Sequence, residues 1–138
     1  MISFDVGVLY AAVNGASPHF RKARALLERH LASNEVVLSE QVLVPLYTAI
    51  ARANRAEAAH VIRLLRQNPN WRIVDAQSSR VEMNPVWQAV YAGEAEPRDI
   101  RKWRLAITLR QNGVTTFYTD EPDFYQDRGI TGAVNPFV

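Results

Sequence analysis

Gly113-Val114-Thr115-Thr116-Phe117-Tyr118-Thr119-Asp120-Glu121-Pro122-Asp123-Phe124 joins a glycine turn to a short run of strand formers, with carboxylates following at once. Thr115 to Tyr118 is β-branched or aromatic throughout, as a strand prefers. Upstream, Glu96-Pro97 opens a helix reaching Gln111, and Asn112-Gly113 closes it in the manner of a C-cap. The N-terminus repeats the arrangement, since Ile2-Ser3-Phe4 reads as a strand and Asp5 follows it. Acids at the carboxyl ends of neighbouring parallel strands lie close enough to share one divalent cation, which takes hard oxygen ligands.

Between these ends, strand and helix signals alternate. Gly7 breaks the first strand before a helical turn with Val8, Leu9, Ala11 and Ala12. Ser17-Pro18 reads as an N-cap with proline at the first helical position. The helix behind it places Phe20, Ala23, Leu27 and Leu31 on one apolar face. Val36-Val37-Leu38 is a buried-strand candidate, and Ser39 caps a helix carrying Val42, Leu43, Leu46, Tyr47 and Ile50. Asn54 starts another helix, ended by Asn68-Pro69, and Trp71 to Val74 alternates as a strand. Ser78 to Ala92 is helical in character, with Asn84-Pro85 either its start or a kink within it. Strands separated by helices along a whole chain predict a parallel α/β sandwich, with ligands beyond the carboxyl ends of the strands.

Composition sets the bounds. The 138 residues, 48% of them hydrophobic, suit a single domain over 1–138 with one ordinary core. No stretch approaches the ~20 apolar residues of a membrane span, and no basic region precedes the N-terminal apolar stretch as in a secretory signal. The expectation is a cytoplasmic protein with no membrane partner. With no cysteine there is neither disulfide, thiolate metal site nor Cys nucleophile. A net charge of +2 does not announce nucleic acid by itself.

From Phe4-Asp5 to Asn135-Pro136 the chain resembles the PIN-domain ribonucleases, and within them the VapC-type toxins. Asp5-Val6-Gly7-Val8-Leu9 matches the first strand's Asp-Thr-Asn followed by Val-Leu, and Thr119-Asp120-Glu121-Pro122-Asp123-Phe124 matches Thr-x-Asp-x-Asp-Phe. Asn135-Pro136 matches the closing Asn-Pro of many members. Two family acid positions are replaced. Pro45 stands where the second strand's helix carries a Glu, and Lys102, in Lys102-Trp103-Arg104-Leu105-Ala106, stands where Asp-Ala-x-Leu-Ala carries an Asp.

The resemblance implies a three-layer α/β/α sandwich around a four- or five-stranded parallel sheet. It implies Mg²⁺- or Mn²⁺-assisted hydrolysis of RNA phosphodiesters, a homodimer, and a cognate antitoxin as partner. Carried over residue by residue, Asp5 and Glu121 are the catalytic candidates, with Asp123 and Asp99 as further metal ligands. Asp99 enters because it lies three residues before Lys102, on the same helix stripe. Pro45 supplies no ligand, and the ammonium of Lys102 competes with a cation for the same carboxylates. Two expectations follow. One is a VapC-like protein with a weak or inactive site, and the other a non-catalytic PIN-fold module that binds RNA or protein.

Arg98, Arg101, Lys102 and Arg104 form the densest basic patch, readable as a solvated helix face or as a surface that tracks phosphates. Asp5 as a helix cap, and Asp120, Glu121 and Asp123 as turn residues around Pro122, are the structural alternatives for the acids.

Overall fold

A computed structural model describes residues 1–76 and 79–138. Along the chain run β1 (Ile2–Phe4), α1 (Val6–Val13), α2 (Phe20–His30), β2 (Val37–Ser39), α3 (Glu40–Ala51) and α4 (Arg55–Arg66). They are followed by β3 (Arg72–Val74), α5 (Arg80–Tyr91), α6 (Pro97–Gln111), β4 (Thr116–Tyr118), α7 (Pro122–Gln126) and β5 (Gly132–Val134). The architecture is the PIN-like α/β/α sandwich.

Every strand pair is parallel: β1 with β4, β4 with β5, and β2 with β3. A single bridge between Ile2 and Val36, with Ile2 N–H donating to Glu35 O at 2.8 Å, links the two groups of strands. The order across all five is therefore β3-β2-β1-β4-β5. Chain order reverses at β1, which makes its carboxyl end the topological switch point where open α/β sheets bind ligands.

The strands are short, and burial is greatest in the middle of the sheet: β2 is wholly buried and β1 nearly so, whereas the edge strands β3 and β5 leave Arg72 and Val134 exposed. Phe4, Val36, Val37, Leu38 and Phe117 have no exposed surface. Phe4 stacks between Trp71 and Tyr118, with ring centroids 5.9 Å and 5.5 Å away. Trp71 is thus a core residue, and its indole N–H donates to His30 O at 3.0 Å.

Several caps fall where the sequence puts them. Ser39 Oγ accepts from Gln41 N–H, and Asn54 Oδ1 accepts from Glu57 N–H. Other boundaries shift. Ser17-Pro18 forms a turn in which Ser17 Oγ accepts from His19 N–H, and α2 begins only at Phe20. α5 starts at Arg80 behind a Ser79 cap and holds Pro85 inside it; the sequence reading began this helix at Ser78, which lies outside the described residues. α3 likewise runs unbroken through Pro45. α3 keeps its proline because tertiary packing of its apolar face, with Val42, Leu43, Leu46 and Ile50 buried, outweighs the local penalty.

Pro45 lacks the N–H that would bond to Gln41 O, so Pro45→Ala is expected to raise the unfolding free energy by about 1–3 kcal/mol. Urea unfolding measures this directly; a less stable variant would show that the proline ring fills a packing role greater than its helix cost.

Candidate active site

The site is built on the β1–β4 pair. Phe4 lies opposite Tyr118, so the residues after them, Asp5 and Thr119, meet at the carboxyl end of the sheet. Asp5 N–H donates to Tyr118 O at 2.9 Å, continuing the ladder one residue further. Its carboxylate then does two things. Oδ1 accepts from Val6 N–H at 2.8 Å and caps α1, while Oδ2 accepts from the Thr119 hydroxyl at 2.7 Å. The capping and site readings of Asp5 describe the same geometry. Thr119 Oγ1 also accepts from Glu121 N–H at 3.1 Å, fixing the turn that presents Glu121.

Asp5 is only 6% exposed. Burial pushes its carboxyl above the ordinary range, the Thr119 and Val6 hydrogen bonds oppose the rise, and the nearby charges of Asp120 and Glu121 add to it.

α3 and α6 form the walls of a cleft of about 350 Å³ over this point. Asp5 and Val6 lie at its base, α3 contributes Gln41, Val42 and Pro45, and α6 contributes Lys102 and Leu105. Arg98, Arg101 and Arg104 line the same cleft, so the four basic residues picked from the sequence share one surface.

Lys102 dominates the electrostatics. Its Nζ lies 3.2 Å from Asp99 Oδ1 and 3.1 Å from Glu121 Oε1, bridging α6 and the start of α7. The ammonium also sits 4.6 Å from the centre of the Phe124 ring. Burial works against its charge, but the hydrogen bonds to Glu121 and Asp99 outweigh that and hold its pKa above the ordinary lysine value. The Lys102 and Asp99 side chains are 23% and 27% exposed, which screens this pair less than a surface ion pair.

The four positions that the resemblance assigns to acids lie together in the structure. Asp5, Pro45 and Lys102 line one cleft, and Glu121 reaches it through Lys102. Asp99 comes to the same place but spends its carboxylate on the lysine. Asp123 is exposed in the first turn of α7, and Asp120 is exposed beside Gly7, where an added Cβ would sit 3.3 Å from Asp120 Oδ2. Among the described residues, no group of three or more His, Cys, Asp or Glu is placed to hold a metal ion.

Thr119 and Tyr125 received no role from the sequence. The signal for Thr119 was the threonine beginning Thr119-Asp120-Glu121, whose hydroxyl alone reaches both Asp5 and the turn. The Tyr125 side chain is buried in the cleft wall, where desolvation, followed by the Asp5 charge, raises its pKa and keeps the phenol protonated.

No family model matches the chain. Among curated proteins it is similar to Ribonuclease VapC24 of Mycobacterium tuberculosis, in strains CDC 1551 / Oshkosh and ATCC 25618 / H37Rv. Identity is 30%, covering the whole chain and 98% of the relative in each case. The chain belongs to the VapC ribonuclease family. VapC proteins are PIN-domain ribonucleases of toxin–antitoxin pairs, and dependence on a divalent metal, action on RNA and an antitoxin partner are properties of the family in general. Among solved structures, the fold is like that of Mycobacterium tuberculosis VapC20, described as a sarcin-ricin loop cleaving toxin. The TM-score is 0.70 at 20% identity, with 99% of this chain and 100% of that one covered. No described helix is long and apolar enough to cross a membrane.

Because the folded pKa of Asp5 is raised, ionising it costs more in the folded than in the unfolded chain, and its contribution to stability falls as pH rises through both values. Thr119→Val removes a donor to the charged form and leaves Glu121 N–H without its acceptor, at an expected cost of about 1–3 kcal/mol. The cost should be larger at neutral pH than in acid, where Asp5 is protonated in both states. Urea unfolding at the two pH values measures it, and an equal or larger cost in acid would contradict the assignment.

Proposed function

We propose that this chain is a VapC-family protein whose acid cluster is neutralised by Lys102 in place of a divalent cation, leaving metal-dependent RNA cleavage weak or absent. The observation that carries this reading is the position of Lys102 Nζ, within 3.2 Å of Asp99 and 3.1 Å of Glu121. A hard cation such as Mg²⁺ or Mn²⁺ needs several oxygen ligands at short range. Here two of the four ligand candidates are bound to an ammonium, Asp5 has both oxygens in hydrogen bonds, and Asp123 is exposed on α7. The donor set does not fit a resident Mg²⁺ or Mn²⁺. No catalytic step is therefore assigned to Asp5 or Glu121 through such an ion.

The surface beside the cluster remains cationic, through Arg98, Arg101 and Arg104. This supports a molecule that still engages anions and partners while cutting RNA poorly. RNA and a cognate antitoxin are the partners this family membership suggests. A homodimer is supported by α5, which leaves Val81, Trp87 and Tyr91 exposed as an apolar surface suited to a second copy.

The test is Mn²⁺ calorimetry together with metal-dependent cleavage of single-stranded RNA. The parent should bind Mn²⁺ poorly and cleave weakly. The double change Pro45→Glu with Lys102→Asp should restore binding and raise cleavage well above the parent. Neither change alone should suffice, and adding Asp5→Ala should abolish the gain. A parent that already cleaves vigorously in an Asp5-dependent manner, or a folded double variant as inactive as the parent, would defeat the proposal.

A further inference from the structure

A second cavity, of about 470 Å³, lies between α1, the loop that follows it, the turn after β4 and the segment after β5, and it shares no lining residue with the α3–α6 cleft. Gly7, Tyr10 and Asn14 reach it from α1 at spacings of three and four, which is one face of the helix. Its aromatic lining is Tyr10 together with His19 and Phe137, whose rings lie face to face at 4.4 Å and 8°, so that each covers one face of the other. Among the described residues no Lys or Arg lines it, and its one side-chain carboxylate is that of Asp120. Lys102 takes up Asp99 and Glu121 but not Asp120, whose exposed carboxylate has no ion-pair or hydrogen-bond partner among the described residues. At Gly7 the helix places no side chain before this carboxylate, where an added Cβ would sit 3.3 Å from Asp120 Oδ2.

We propose that this cavity binds a small quaternary ammonium compound, its cationic head resting against the rings of Tyr10, His19 and Phe137 and its charge met by Asp120. Aromatic faces attract a cation through the ring quadrupole, and a carboxylate beside them makes the site selective for positive charge. The choice among cations follows from the acceptors. Ser17 Oγ already accepts from His19 N–H, Asn14 Oδ1 from Ala16 N–H and Asn135 Oδ1 from Phe137 N–H. A primary ammonium brings three N–H donors and a guanidinium five, and Asp120 is the side-chain carboxylate left to receive them. A quaternary head has no N–H to satisfy. The volume of about 470 Å³ falls within the range of small-molecule sites. The inference goes beyond the Lys102 reading and draws on neither Asp5 nor Glu121.

The test is an NMR titration of the isotope-labelled full chain with choline, in EDTA and at low salt, read from the backbone amide shifts. Choline should bind saturably and shift the amides of Gly7, Ser17, His19 and Phe137, leaving those of Val42 and Leu105 in place. Ethanolamine, the same body with a primary ammonium, and the neutral analogue of choline with a quaternary carbon in place of nitrogen should each bind roughly tenfold more weakly. Asp120→Lys, at an exposed position, should abolish choline binding, and Phe137→Leu, which keeps apolar bulk and removes the ring, should weaken it roughly tenfold. The amide spectrum of each variant reports whether it is folded, and the comparison of ligands on the parent decides even where a variant is not. Absence of a saturable shift, shifts confined to the α3–α6 cleft, ethanolamine binding as tightly as choline, or choline binding unchanged in folded Asp120→Lys would each overturn the proposal. With neither metal nor RNA in the sample, the outcome is independent of the Mn²⁺ and cleavage experiments.

Discussion

The parallel register of β1 against β4 is the constraint from which the site follows. Because Phe4 faces Tyr118, the next residue on each strand must emerge at the same edge, and those residues are Asp5 and Thr119. Their side-chain hydrogen bond, at 2.7 Å between groups 114 positions apart in sequence, closes the edge and orients the turn that carries Glu121. A slip of one residue would turn one strand over relative to the other and take Phe4 away from the Tyr118 ring it stacks on. The aromatic stack around Phe4 and the site at the strand ends are therefore two consequences of one pairing.

What stands in that edge is a matter of charge balance. Carboxylates gathered at the end of a sheet repel one another and must be neutralised by a cation or by protonation. In this chain a lysine on α6 reaches into the group and pairs with two of them, and the buried Asp5 carboxyl is pushed toward its neutral form. A lysine at this place is compatible with the scaffold, because the ammonium meets the electrostatic need of the cluster. It does not supply a cation's chemistry, since an ammonium cannot coordinate and activate a water as a Lewis acid. On the reading proposed above, fold and family membership survive while metal-assisted hydrolysis loses its basis.

The strand–helix alternation was legible because hydrophobic spacing and capping residues act locally, and Ser39, Asn54 and Glu96-Pro97 mark helix starts where the sequence places them. β5 was not. It opens on Gly132, where a Cβ would lie 2.1 Å from Thr115 O, so glycine is what lets this strand approach β4. Pro45 and Pro85 are local helix breakers that both lie inside helices; the sequence carried α3 through Pro45 and left Pro85 open between a helix start and a kink. At the site, the convergence of Asp5, Pro45, Lys102 and Glu121 was readable from motif order. That Asp99 would pair with the lysine was half readable, from a spacing of three, but the reach of Lys102 across to Glu121 depends on a tertiary approach of α6 to α7 that no local pattern encodes.

The most direct test of the lysine-neutralised site is a crystal structure of the chain grown with Mn²⁺ and recorded at the manganese absorption edge. The expected result is no anomalous peak at the carboxyl end of β1 and β4, with Lys102 Nζ still between Asp99 and Glu121. A manganese ion bound by Asp5 and Glu121, with the Lys102 side chain swung out of the cleft, would contradict it.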